Sequence, residues 1–320
     1  MSRFAATLCA AMLATLSTQA FAQFPTKPIK MIVPLAVGGT GDTLSRAIGE
    51  GMSKVLGQPV VIDNKPGAGG LVGTEIAAAS PGDGYTMLSV SPSHVINPAL
   101  HSSKKTYDPL KDFEPITVMA NTHQLIVAHP SVPFNDLKGL IEYAKKNPGK
   151  LNYGSAGTGS ATHLNMSLFL QMAGIDIVHV PYKGSTQARQ DVVGGQVQLA
   201  MDGLLPVQGL LKDGRLKAIA LTSSKRSQTN PEIPTIGEVL PGYASDTWYG
   251  ILVPAGTPKD VIAKLHAAAV TAIADPAVRD RLSKLGAEPV GNTPEEFRKL
   301  LESEQRIWTK AVKDTGAKAD

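Results

Sequence analysis

The sequence has a single cysteine, Cys9, and it lies in an N-terminal segment that the folded protein is not expected to keep. Arg3 gives that segment a short positive start, Phe4 to Leu16 are apolar and Ala-rich, and Ala20-Phe21-Ala22 places small residues before Gln23. The apolar run is too short for a membrane span, and the chain after it turns polar and Pro-rich at once. Residues 1–22 therefore read as a secretory signal peptide cleaved after Ala22. Thr7-Leu8 ahead of Cys9 makes a poor lipid-attachment signal. A mature chain without thiols excludes disulfides, thiolate metal ligands and a cysteine nucleophile. Export without cysteine fits a bacterial periplasm.

Other absences narrow the function. No run of five like charges occurs, and the formal charge is only +4 although the isoelectric point is near 9.0. Dispersed lysines make a solvated exterior rather than a nucleic-acid surface. Neither Gly-x-Ser-x-Gly nor His-Glu-x-x-His is present, and Ser102-Ser103-Lys104-Lys105 matches Ser-x-x-Lys with no supporting motif. The seven histidines are not paired at ligand spacing, so no metal site is expected. Gly154-x-x-Gly157-x-Gly159 imitates a dinucleotide turn. That turn needs an acid at the end of the next strand, about 20 residues on, and a phosphate loop needs Gly-Lys-Ser/Thr. Asp176 stands near the strand's start instead, the strand ends in His179-Val180-Pro181, and no phosphate loop exists. A nucleotide-dependent oxidoreductase is thus a weak alternative, and neither an enzyme nor a cofactor is expected.

What is present is an almost unbroken alternation of strand and helix signals from Ile29 onward. It predicts an α/β protein with doubly wound, parallel sheets. Aromatics are sparse at 5%, but a hydrophobic content of 42% supports real cores. With 320 residues there is room for two domains of ordinary size. The pattern loosens near Asp108–Asn121 and again over a Pro-rich passage at 229–242, followed by Thr247–Val253. The order is one domain, an inserted domain, and a return: 23–121 with 246–320, and 122–245. Two crossing segments make a hinge, the geometry in which closure traps a ligand. Trp248 and Tyr249 are expected to pack near it.

Two stretches share one design. Met31–Val33 leads through Gly38-Gly39-Thr40-Gly41-Asp42 into a helix, and Leu151–Tyr153 leads through Gly154–Gly159 into another that Ser160 or Thr162 opens. Free N–H groups at a helix start, together with its dipole, attract an anion. Two such loops facing one another would hold a carboxylate. Candidate ligand residues are Gly38, Gly39 and Thr40 in the first loop, with Asp42 as a helix cap more than a contact. The second loop offers Ser155, Ala156, Gly157, Thr158, Gly159, Ser160 and His163. Ser91 and Ser93, Tyr182 with Lys183, and Asp202 sit at other strand ends. Asp202 could select an amine or hydroxyl, or cap the next helix. Neither loop contains an arginine, so attraction is expected to come from N–H groups, hydroxyls and dipoles.

Pro25–Pro34 with Gly38–Asp42 resembles the start of the Bug family, the substrate-binding proteins of tripartite tricarboxylate transporters. The likeness continues through Asn64–Gly70, Gly82–Thr86, Asn152–Gly157, Val180–Gly184, Gly194–Val197 and Pro254–Pro258. The resemblance implies a two-lobed, type II-like periplasmic binding protein, expected to be a monomer, that closes on a small carboxylate and hands it to membrane permease subunits. A role in presenting the closed form to a membrane sensor is the alternative. Gly38–Thr40 match the family's first loop and Ser155–Gly159 its second. Members often carry Phe-Asp-Asn where this chain has Met201-Asp202-Gly203.

Overall fold

The computed structural model describes residues 24–315 apart from 36, 102–105, 159, 183, 228–229, 244, 246 and 285. The leader with its cleavage site, the Ser102–Lys105 stretch, Gly159 and Lys183 lie outside the described residues.

Two sheets organise the chain. The first has six strands, β1 (Ile29–Val33), β2 (Val60–Asn64), β3 (Thr86–Val90), β4 (Phe113–Thr122), β10 (Thr247–Pro254) and β11 (Ala287–Pro289). Their order is β11-β4-β10-β3-β1-β2. The second has β5 (Gln124–Ala128), β6 (Asn152–Ser155), β7 (Val178–Pro181), β8 (Leu199–Gly203) and β9 (Lys217–Leu221), in the order β7-β6-β8-β5-β9. Helices α1 (Thr40–Leu56), α2 (Leu71–Ala78), α3 (Ser93–Leu100), α8 (Lys259–Ala274), α9 (Pro276–Lys284) and α10 (Pro294–Thr315) accompany the first sheet. Helices α4 (Leu137–Lys146), α5 (Ala161–Ala173), α6 (Ser185–Val193) and α7 (Leu204–Lys212) accompany the second.

Strand periodicity explains why each sheet is covered on both faces. Ile29, Met31 and Val33 enter one core with α1 and α8, while Ile32 enters another with Trp248, Phe297 and Leu301. In β5, Ile126 and Ala128 join the core under α4 and α5, and Leu125 and Val127 join the opposite one with Val192 and Val207. A strand buried on both faces reads as a continuous apolar run, as Leu125–Ala128 does. The helices carry their own stops and starts. Gly57 closes α1 in the left-handed conformation at φ 67°. Thr293 and Glu296 cap the start of α10 reciprocally, at 2.9 and 3.2 Å.

The sheets are mixed rather than parallel. β1 pairs in parallel with β2 and β3, but β10 runs against both β3 and β4. β5 likewise runs against β8 and β9. β5 and β10 arrive from the opposite lobe, so no crossover helix obliges them to lie parallel to their neighbours. His123 alone separates β4 from β5. The return path lies beside it: Thr222 N–H donates to the Gln124 carbonyl, and Ser245 N–H to the Thr222 carbonyl, each at 2.9 Å. His123 Nε2 meets Glu288 Oε1 at 2.9 Å at the same crossing.

Three elements escape the sequence pattern: α3, α9 and the three-residue β11. Pro92 heads α3 and Pro98 lies inside it, so local breaker signals hide a helix that packing on α10 secures. Val95, Ile96 and Leu100 bury its inner face.

Candidate ligand cleft

A cavity of about 580 Å³ lies between the two lobes. The first lobe lines it with Val37–Thr40, Tyr249 and Gly286. The second contributes Thr162, Gly184–Thr186, Arg189 and Asp202–Pro206, and Thr122–Gln124 of the crossing close one side.

Three helices start at this cavity. The N-cap residues of α1, α6 and α7 are Gly39, Gly184 and Gly203, none makes a side-chain cap, and all three line the space. Helix starts elsewhere in the second lobe are closed. Asp136 accepts from Gly139 N–H at the head of α4, and Ser160 accepts from His163 N–H at the head of α5. At α7 the Gly203 N–H donates to Asp202, the Leu204 N–H to the His123 carbonyl at 2.9 Å, and Pro206 has no N–H, so this start brings chiefly its dipole. At α1 and α6 the uncapped first turn offers an anion N–H donors as well as partial positive charge.

The first Gly-rich turn is built to hold this posture. Gly38 is at φ 80°, a conformation that glycine adopts without strain. Asp42 is 2% exposed, so it faces inward rather than into the cavity. Its Oδ2 accepts from Gly38 N–H at 2.9 Å and from Arg46 Nε at 3.1 Å, and its Oδ1 accepts from Asn64 Nδ2 at 2.9 Å. Burial acts to raise its pKa, but the hydrogen bonds from Arg46, Gly38 and Asn64 outweigh that and hold it below the usual carboxylate value. Asp42 fastens the turn, and it is not among the cavity's described lining.

The second turn consumes its own donors. Gly157 N–H donates to Ser155 Oγ at 3.1 Å, Ala156 N–H to Thr162 Oγ1 at 2.9 Å, and Ser160 Oγ to the Gly157 carbonyl at 2.6 Å. Ser155 is buried and its Oγ meets His179 Nε2 at 2.7 Å. His163 stacks on His179 with centroids 4.1 Å apart and borders a smaller, 250 Å³ cavity beside Trp308 and Ala311 of α10. Among the described residues of this loop and the start of its helix, only Thr162 lines the inter-lobe cavity. Ala156 and Ser160 are hydrogen-bonded to Thr162 at 2.9 and 3.0 Å, and these two, Gly157 and the exposed Thr158 are not among the cavity's described lining.

The remaining candidates divide the same way. Ser91 and Ser93 hydrogen-bond each other at 3.0 Å and are not among the cavity's described lining. Tyr182 Oη donates to Asp191 Oδ2 at 2.6 Å, away from the space. Gly38, Gly39, Thr40 and Asp202 do line it. Trp248 is buried against Phe297, whereas Tyr249, expected to pack, also borders the cavity.

Asp202, at the end of β8, is 3% exposed and is held by Arg189: Nε to Oδ2 at 2.7 Å and Nη2 to Oδ1 at 3.2 Å. Its Oδ1 also accepts from Gly203 N–H at 2.7 Å. Burial raises the Asp202 pKa, and Arg189 and Gly203 pull against it. Its oxygens are committed within the protein, so it has little left for a ligand amine. Arg189, Ser185 and Thr186 were not legible as site residues. The usable hint was Gly184 immediately before a helix, the same device as Gly39.

A larger cavity, about 890 Å³, lies within the second lobe. Asp136 and Glu232 border it with Lys212, and the nearby start of α4 is already capped by Asp136. Two carboxylates and a closed helix start disfavour an anion there.

Comparison with known proteins settles the lineage. The family described as the tripartite tricarboxylate transporter family receptor matches residues 44–317. The chain belongs to this receptor family. A structure described as a periplasmic transporter shares 43% identity, covering 93% of this chain and 100% of that one, at a TM-score of 0.82. BugT of Bordetella pertussis is 34% identical over 297 residues, 92% of this chain and 91% of its own length. An R. palustris protein solved with adipate is 35% identical, covering 92% and 98% of the two chains, at a TM-score of 0.80. The receptor thus has the two-lobed α/β fold of periplasmic binding proteins, and relatives of this kind hold carboxylates.

Proposed function

We propose that this receptor captures a small organic carboxylate between its lobes in the periplasm and delivers it to the membrane subunits of a tripartite tricarboxylate transporter. The observation that carries the reading is the convergence on one cavity of two uncapped helix starts, α1 from the first lobe and α6 from the second. Such a site matches an anion with oriented N–H groups rather than a lone charge. The relative solved with adipate is consistent with this chemistry.

In this reading residues 1–22 are removed on export, and the lobes are 23–121 with 246–320, and 122–245. They close about the paired crossings at His123 and Thr222–Ser245. Gly38, Gly39 and Thr40 grip the carboxylate from the first lobe. Ser185, Thr186 and Thr162 complete the grip from the second. Each helix terminus contributes on the order of 1 kcal/mol. A micromolar ligand needs about 8 kcal/mol. Desolvation on closure supplies the larger part, so affinity depends on both lobes.

The test is thermal stabilisation of the purified protein against a panel of mono-, di- and tricarboxylates, with NAD(P) as the control. A ligand at 100 times its Kd adds about 2.7 kcal/mol, a shift of several degrees. Stabilisation by one or a few acids and none by NAD(P) is expected. A flat response to every acid would remove the carboxylate reading.

A further inference from the structure

The Arg189–Asp202 pair is placed where a structural ion pair has no need to be, on the wall of the inter-lobe cavity. Arg189 rises from the second turn of α6, whose uncapped start borders the same space, and its side chain is 17% exposed against 3% for Asp202. The guanidinium has five N–H donors arranged on two usable edges. Asp202 occupies the side edge, through Nε and Nη2. The end edge, formed by Nη1 and the second Nη2 hydrogen, meets no acceptor among the described residues.

Arg189 is also the only guanidinium or ammonium among the described residues lining the cavity. Asp202 fixes its plane, so the fork is oriented before any ligand arrives and little side-chain entropy remains to be lost. An ammonium would not offer this geometry. A planar fork with one free edge fits a carboxylate through two parallel hydrogen bonds. A carboxylate there would leave the Asp202–Arg189–ligand trio with one net negative charge. The starts of α6 and α7, both facing the space, offset that charge.

We propose that Arg189 is the specificity-determining residue of the cleft and that the ligand class is a dicarboxylate, with one carboxylate at the Gly38–Thr40 turn and the other on the free edge of Arg189. This rests on the carboxylate reading of the cleft given above and adds the second point of recognition. A monocarboxylate of equal length would fill the same volume but leave the fork unanswered.

The experiment is calorimetric titration of the purified receptor with succinate, glutarate and adipate, each beside the monocarboxylate of matched carbon number. The best diacid is expected to bind about 10- to 100-fold more tightly than its matched monoacid, the worth of one charge-assisted pair. Replacing Arg189 alone would leave Asp202 buried and unpaired, so the test uses the double variant Arg189→Gln with Asp202→Asn, which keeps shape and hydrogen bonding without charge. In that variant the diacid-to-monoacid affinity ratio is expected to fall to within about threefold. Arg189→Lys should retain part of the preference, since charge survives and the fork does not. If diacids and monoacids bind the native protein equally, or the preference survives in the double variant, the assignment of Arg189 is overturned. If no acid of either kind binds, the carboxylate reading itself falls.

Discussion

The two Gly-rich turns look alike in sequence and behave differently in the structure. Both follow a buried strand and precede a helix. The turn before α1 places Gly39 at the N-cap, where no side chain answers the first-turn donors. The turn before α5 has Ser155, Ser160 and Thr162, and their hydroxyls close the loop on itself. The difference teaches that glycine before a helix makes an anion seat only when nearby hydroxyls leave the N–H groups alone. Ser and Thr that look like ligand groups in sequence can be the caps that shut the site. The structural counterpart of the first turn at the cavity is Gly184, which shares its bare N-cap.

The comparison can be broken most directly at Gly39. Its φ of −73° and ψ of 167° suit any L-residue, so Gly39→Val should fold normally while filling the cavity wall. The expected result is a loss of carboxylate affinity of about 100-fold, or about 2.7 kcal/mol, with the melting temperature of the unliganded protein unchanged. Normal binding by this variant would take the first turn out of the site.

At Gly157 the opposite division is expected. It sits at φ 123°, and a Cβ there would lie 3.0 Å from the Tyr182 carbonyl. Gly157→Ala should cost about 2 kcal/mol of stability through strain and contact. Its affinity should stay within about threefold of the native value, because Gly157 is not among the residues lining the cavity. Equal losses of binding in both glycine variants would erase the distinction drawn here.

Acid offers a third handle. Burial, with the charge of His163 second, lowers His179 beneath the second turn to about 4. Burial lowers His94 in the first lobe to about 4 as well, against the opposing hydrogen bond to Pro109. Both folded values lie below the ordinary 6.5, so between pH 6.5 and 4 the unfolded chain binds more protons than the native one. Stability should therefore fall as pH drops through that window and level off below it. The loss should be on the order of 2 kcal/mol, most of it from His94 because His179 is partly screened by solvent. Chemical denaturation at a series of pH values measures it, and His179→Asn should flatten only the smaller share.

The smallest effect sharpens the comparison from the other side. Ser160→Ala removes the cap of α5 and should cost about 1 kcal/mol in denaturant unfolding. Carboxylate affinity should remain within about twofold, because the opened donors face the loop interior and not the ligand. A large affinity change would mean that the second turn touches the ligand after all.

Much of this was readable along the chain because the signals are local. The run Met31–Val33 followed by Gly38–Thr40 is contiguous, and so are Thr293–Glu296 and the alternating strands and helices. Other features were hidden for identifiable reasons. Pro92 and Pro98 mask α3, whose stability comes from packing on α10. The antiparallel setting of β5 and β10 follows from where the chain crosses, which no local pattern encodes. Arg189 carries no motif: it matters because α6 folds against the end of β8, bringing it to Asp202 thirteen positions away.

By itself the sequence determined an α/β chain of two lobes, its family, and the first of the turns that line the cavity, because periodicity, small residues and caps act between near neighbours. Only the tertiary structure decided which helix starts remain open and face one another. Whether a backbone N–H is free depends on the hydroxyl that folds back upon it and on the lobe that stands opposite, and neither is written in the residues that carry the donor.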